Sequence, residues 1–193
     1  MMLPRESEPG GPHVRRLAQF RHELRRLAES PSRDALERML ARAGELGLGH
    51  NDVGEELSDF RACLEAVEVQ TQLERGQLPV VDCLEALPPG DACHFISPVR
   101  FGRRRADQFG HLLLTSGWLK FHGALDVSVA WSEIASVRRD GRDLIVSLHD
   151  SRRVFRFSCH SLAEAAVGGV IAEHLVRAAR SEPSGPPAFH ASV

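Results

Sequence analysis

Arg100, Arg103, Arg104 and Arg105 stand close together, with Phe101 and Gly102 between them. Neighbouring guanidinium groups on a loop can present forked donors to phosphate or carboxylate. This stretch is therefore a candidate anion-binding site. The alternative is a solvated loop in a chain whose basic residues are nearly all arginine, since Lys120 is the single lysine among 24 cations. Trp118 and Lys120 form a second candidate. In an extended segment they share parity with His122 and oppose Leu119 and Phe121, so both should point outward. An outward tryptophan beside a cation suits a membrane interface or a partner's pocket; packing beneath a loop is the competing reading.

Other chemistry is sparse. The pairs Cys93-His94 and Cys159-His160 offer metal-ligand types, but adjacent residues on a strand point to opposite faces, and a metal site is not expected. Cys63 and Cys83 complete the four cysteines, with no C-x-x-C spacing; they read as small buried hydrophobes. The sequence contains no G-x-S-x-G, G-x-x-x-x-G-K-[ST], H-E-x-x-H or post-strand G-x-G-x-x-G pattern. No catalytic residue and no cofactor is expected.

The elements that would carry these residues follow from period and charge. The chain has 193 residues, 42% of them hydrophobic and 26% charged, with a net charge of −2. That composition lies in the globular range. Residues 1–90 carry a balance of −5 and residues 91–180 one of +4, which suggests two units of opposite sign. The excess is too small to imply nucleic acid. Residues 1–12 and 181–193 are rich in proline, glycine and polar residues and are expected to be disordered. Neither an apolar leader nor a run of 18 apolar residues is present, so neither a signal peptide nor a membrane span is expected, and the chain is expected in the cytoplasm.

From residue 13 to 76 the apolar period is helical. Leu17, Phe20, Leu24 and Leu27 form one stripe; Leu36, Met39, Leu40 and Ala43 a second; Leu57, Phe60, Leu64 and Val67 a third. The second helix is expected to open at Ser30-Pro31 and the third at Asp52. Residues 77–90, with Pro79, Pro88, Pro89 and Gly90, read as a linker. Beyond it the period falls to two. Strands are expected at 93–97, 111–115 and 118–122, then around Val127, Val129 and Trp131, at 134–137, 144–148 and 154–159. Residues 100–108 read as a charged loop, Asp140-Gly141 as a tight turn and Ser151 as part of another. Period 3.6 then returns in a last helix behind Ser161, interrupted by Gly168-Gly169. The three-helix segment is expected to form a small antiparallel bundle.

The order of elements, together with Gly110-His111-Leu112-Leu113-Leu114-Thr115-Ser116-Gly117-Trp118-Leu119-Lys120-Phe121 and the later Val129-Ala130-Trp131-Ser132-Glu133-Ile134-Ala135-Ser136-Val137, resembles the GRAM and bacterial pleckstrin-homology-like (PH-like) families over residues 91–180. The resemblance implies a PH-like antiparallel β-barrel capped by a C-terminal helix, which with the three N-terminal helices read from their period makes an α+β fold. It also implies a non-catalytic binding or adaptor role, in which the PH-like domain recognises a protein; the heptad-like spacing of the helical segment suits oligomerisation or partner contact. The alternative it implies is peripheral membrane binding through a phosphoinositide or anionic-lipid headgroup. The positions matching the phosphate-gripping loop of lipid-binding PH domains are Arg100, Arg103, Arg104 and Arg105, with Lys120 on the neighbouring hairpin.

Overall fold

The computed structural model describes residues 11–28, 31–83, 85–102, 108–150 and 153–181. Ser30, Arg103, Arg104, Arg105, Ser151, most of the N-terminal lead-in and most of the C-terminal tail lie outside the described residues. The chain divides into two compact units, Met1–Val67 and Glu68–Val193.

The first unit is built from helices α1 (Pro12–Ala28), α2 (Arg33–Glu45) and the greater part of α3 (His50–Glu74). Its core comprises Phe20, Met39, Ala43, Leu48, Val53 and Leu57, with Leu17, Leu24, Leu27 and Leu36 packed against it, while Leu40 of the second predicted stripe is exposed. Helix α2 opens behind Ser32 rather than Ser30. Ser32 is extended (φ −147°, ψ 162°) and its Oγ accepts from Ala35 N at 3.2 Å. Pro31 therefore precedes the cap and does not occupy the first turn. At its other end, Gly47 adopts φ +61°. Its N–H reaches Gly44 O at 3.0 Å, and Leu48 N reaches Ala43 O at 2.9 Å. This paired closure of a helix needs a left-handed residue, which glycine adopts without Cβ strain. Helix α3 begins two residues earlier than expected, because Asp52 is the third helical residue and not the cap: its carboxylate reaches back to accept from Gly49 N at 2.7 Å.

The second unit contains β1 (Cys93–Phe101), β2 (Gln108–Thr115), β3 (Trp118–Gly123), β4 (Val127–Ala130), β5 (Ile134–Asp140), β6 (Asp143–Leu148), β7 (Val154–Cys159) and helix α4 (Leu162–Ser181). All strand pairs are antiparallel, in the spatial order β4-β3-β2-β1-β7-β6-β5. Seven antiparallel strands followed by one C-terminal helix give the PH-like α+β architecture that the order of elements implied. Strand β1 holds the two halves together, pairing with β2 along its whole length and with β7 through Val99, Arg100 and Phe101.

Two expected boundaries move. Strand β1 continues to Phe101 and β2 starts at Gln108, so Arg100 and Phe101 belong to a strand and not to the charged loop. Pairing on both sides keeps this stretch extended despite its charge. Trp131 begins a one-turn 3-10 helix (Trp131–Glu133) and does not continue a strand. It is nevertheless core, 2% exposed, and its indole Nε1 donates to Thr115 O at 2.9 Å.

Helix α4 is capped reciprocally: Glu164 N donates to Ser161 Oγ at 3.1 Å, and Ser161 N donates to the Glu164 carboxylate at 2.9 Å. It packs mainly on β5 and the 3-10 turn, and its Arg180 guanidinium closes the start of β5 by donating to Ala135 O at 2.6 Å. Glycine at 168 is what brings the helix onto the sheet. A Cβ there would meet the Phe95 ring at 3.0 Å and Leu144 Cδ1 at 3.2 Å, whereas one at 169 would meet Leu144 Cδ2 at 3.4 Å, an ordinary contact. Gly169→Ala should therefore stabilise the chain by up to about 1 kcal/mol, the helix-propensity gain. Gly168→Val should destabilise it by roughly 1–3 kcal/mol through overpacking. Urea denaturation of the two variants checks both signs.

Candidate functional site

The residues with recognition chemistry collect where β1 is flanked by β2 and β7. Side chains alternate along this part of β1: Val99 is buried, Arg100 is exposed, and Phe101 turns back inward. Inside, Phe101 lies 4.9 Å from Phe121 and 5.1 Å from Phe157 between ring centroids, with Phe155 beside it at 5.8 Å. This aromatic cluster fixes the end of β1 and therefore the direction of Arg100. Opposite Arg100 on β2 stands Phe109, and opposite it on β7 stands Ser158.

Phe109 is 79% exposed. A large aromatic that remains in water while its strand is fully paired has no packing role to explain it. The neighbouring Gly110 shows why this strand cannot rotate to hide it. A Cβ on Gly110 would fall 2.2 Å from His122 O and 2.7 Å from the Phe121 ring, so the Phe121 ring already fills the inner side. Around Phe109 runs a shallow groove of about 560 Å³, lined among others by Arg100, His111, Arg142, Ser158 and His160, and by no carboxylate among the described residues. Arg142 extends from the β5–β6 turn and donates to His160 O at 3.5 Å. The nearby Asp143 is engaged by Arg156, whose Nε donates to Oδ2 at 2.7 Å. The groove thus combines one exposed ring with two guanidinium groups.

Of the candidate anion-binding residues Arg100, Lys120 and Trp118, Arg100 lines this groove, as do Cys159 and His160 of the second cysteine–histidine pair. Lys120 and Trp118 do point outward on β3, both half-buried. Lys120, however, pairs with Leu113 and Ser128. Trp118 lies at the β2–β3 turn, where its N–H donates to Thr115 Oγ1 at 3.1 Å. That level corresponds to Cys93 on β1, seven residues from Arg100, or roughly 23 Å along a strand. Trp118 and Arg100 therefore belong to opposite ends of the sheet face. A strand expected from His111 leaves Phe109 in the charged loop, whereas β2 starts at Gln108; the alternation of Phe109, His111 and Leu113 carries the signal.

Between the two ends the face is covered. Residues 79–83 and 85–92 cross it as a strap. Val81 N donates to Cys93 O at 2.8 Å, and Glu85 meets His122 Nδ1 at 3.5 Å. His94 is 5% exposed and bridges Pro79 O at 2.7 Å and Ser116 Oγ at 2.9 Å. Because a carbonyl only accepts, Nδ1 carries the proton toward Pro79, and Nε2 faces the serine hydroxyl. Leu113, on the outer side of β2, is 1% exposed under this cover.

No family model and no curated protein matches this chain. Solved structures resemble it distantly. The N-terminal PH domain of human ARAP2 is 13% identical, with a TM-score of 0.39, over 57% of this chain and 99% of that domain. The C-terminal domain of an unknown protein from Leishmania infantum is 16% identical, with a TM-score of 0.36, over 57% and 97%. The linker-DH/PH domains of p115-RhoGEF are 12% identical, with a TM-score of 0.40; this chain covers about half of that structure, 54%, with 85% of its own length. At this level of likeness neither family nor ligand is assigned.

Two outcomes test the geometry. Phe109→Ser should leave unfolding stability within about 0.5 kcal/mol of the parent, as for surface positions without a packing role; a loss above 1 kcal/mol would make Phe109 a structural residue. The second concerns pH. Burial, and then the charges of Glu164 and Asp143, push the Cys159 thiol up to about 12. Above the ordinary thiol value of 9.0 the unfolded chain releases this proton and the folded chain keeps it, so stability falls from about pH 9 upward. Burial, Arg177 and His94 lower His174 from 6.5, so below that value the unfolded chain binds the proton more readily and stability falls again. Urea midpoints measured from pH 5 to pH 11 should show a plateau between these limits.

Proposed function

We propose that this chain is a non-catalytic recognition module whose PH-like unit grips an acidic segment of a protein partner in the groove around Phe109. The observation that carries this reading is an exposed aromatic ring on a strand paired on both sides, directly opposite Arg100 and sharing its groove with Arg142. A partner's apolar side chain can cover the ring while its carboxylates meet the guanidinium groups; aromatic and arginine anchors of this kind dominate interface energetics. A membrane surface fits less well. A flat bilayer would engage cations and aromatics lying on one plane, and Trp118 and Lys120 stand along the face from Arg100 with the strap crossing between. The helical unit serves self-association in the same reading, consistent with the exposed Val14 and Leu40 on its helices.

A fluorescein-labelled peptide rich in Asp and Glu with one central Phe is the direct probe. It should bind, and Phe109→Ala or Arg142→Glu should each weaken binding at least about tenfold, equivalent to roughly 1.4 kcal/mol. Binding should also weaken as salt rises. Phosphatidylserine-containing vesicles form the second arm. Capture by vesicles with no peptide binding replaces the protein reading with the lipid one. A light-scattering mass equal to a single chain at micromolar concentration removes self-association.

A further inference from the structure

The register of β2 against β3 sets two histidines side by side that are remote along the chain. His111 and His122 are direct cross-strand partners, so both side chains stand on one face of the sheet. That face is the outer one, since both residues are exposed while the adjacent Leu112 and Phe121 are buried. Directly opposed residues of an antiparallel pair have Cβ atoms about 4.5–5.5 Å apart. Two imidazole nitrogens on one tetrahedral zinc lie roughly 3.3 Å apart, given Zn–N distances of about 2.0–2.1 Å. Turning the two rings toward each other spans that difference.

The carboxylates beside the pair supply a second, independent observation. His122 Nδ1 lies 2.9 Å from Asp126 Oδ1 and 3.5 Å from Glu85 Oε1. A carboxylate only accepts, so Nδ1 holds the ring proton, and Nε2 of the neutral ring keeps its lone pair. A histidine that ligates a metal ordinarily gives its other N–H to a carboxylate or carbonyl in this way. Arg100 and Lys120 each stand one diagonal step from His111, and Asp126 with Glu85 offsets their charge. No group of three metal ligands converges among the described residues. The pair is therefore an open site, with positions left for water or an incoming carboxylate.

We propose that His111 and His122 hold a divalent transition metal, zinc foremost, through one ring nitrogen each on the outer face of β2 and β3. Imidazole suits zinc, copper and nickel, whereas calcium and magnesium take oxygen ligands. His111 also lines the groove around Phe109. A metal there adds positive charge and open coordination positions at the groove's rim. The site itself stands whether or not the groove takes an acidic segment.

The test adds zinc chloride to the full chain and follows the histidine rings by NMR. The Cε1–H signals of His111 and His122, assigned from the single alanine variants, should move together and saturate at one zinc per chain. Calcium chloride should leave both unmoved. In equilibrium dialysis, His111→Ala and His122→Ala should each weaken zinc at least about tenfold. Asp126→Ala should weaken it by roughly tenfold, because His122 loses the group that orients it. His149→Ala, on the β6–β7 turn, should leave zinc affinity unchanged. Both histidines of the pair are exposed, so these variants should keep the parent's urea midpoint. Zinc that shifts one ring without the other overturns the proposal. So does equal zinc affinity in the parent and in the chain carrying both His111→Ala and His122→Ala. Loss of peptide binding alone, with the zinc response intact, removes the recognition reading and leaves the metal site standing.

Discussion

Backbone hydrogen bonding on both sides of residues 99–101 is the constraint on which the second unit depends. A strand paired on one side only can fray at a charged end; β1 cannot, because β2 and β7 both hold it. This double pairing joins two strand groups into one sheet. It places Phe101 within the cluster of Phe121, Phe155 and Phe157 and sends Arg100 to the opposite side. The groove and its exposed ring are consequences of the same ladder: once Gly110 is closed down on His122 and Phe121, Phe109 has no inward alternative. The exposed ring and the Arg100 guanidinium are thereby mounted on strands whose direction is set by the core.

The strap is the second device. Proline-rich connections are ordinarily solvated, but this one exchanges hydrogen bonds with β1 and the β2–β3 turn through His94, Asp91 and Val81. Each bond alone contributes modestly, of the order of 1 kcal/mol. Together they bury Leu113, an apolar residue that would otherwise face water. The strap thus divides the outer face, leaving the groove around Phe109 open at one end and covering the region beneath Pro79 and Val81.

The first unit is held by a different balance. Its apolar core is small, and its ion pairs, Arg21 with Glu56 and Arg42 with Glu23 and Glu45, sit at the surface, where such pairs contribute little. Helix ends closed by Ser32, Asp52 and Gly47 supply local definition that the core alone would not.

Side-chain periodicity by itself determined the four α-helices and seven strands, though not the 3-10 turn at Trp131–Glu133. The apolar period is a local property that survives any tertiary arrangement, and the cap at Ser161 with Glu164 is written within four residues. Tertiary structure alone decided the rest. That Arg100 is a strand residue depends on β7, more than fifty residues away. That Trp118 and Arg100 occupy opposite ends depends on the antiparallel register. That Phe109 stays exposed depends on the Phe121 ring filling the other side of β2. Each of these is a distance between segments remote in sequence, and spacing along a chain holds no such distance until the strands are paired.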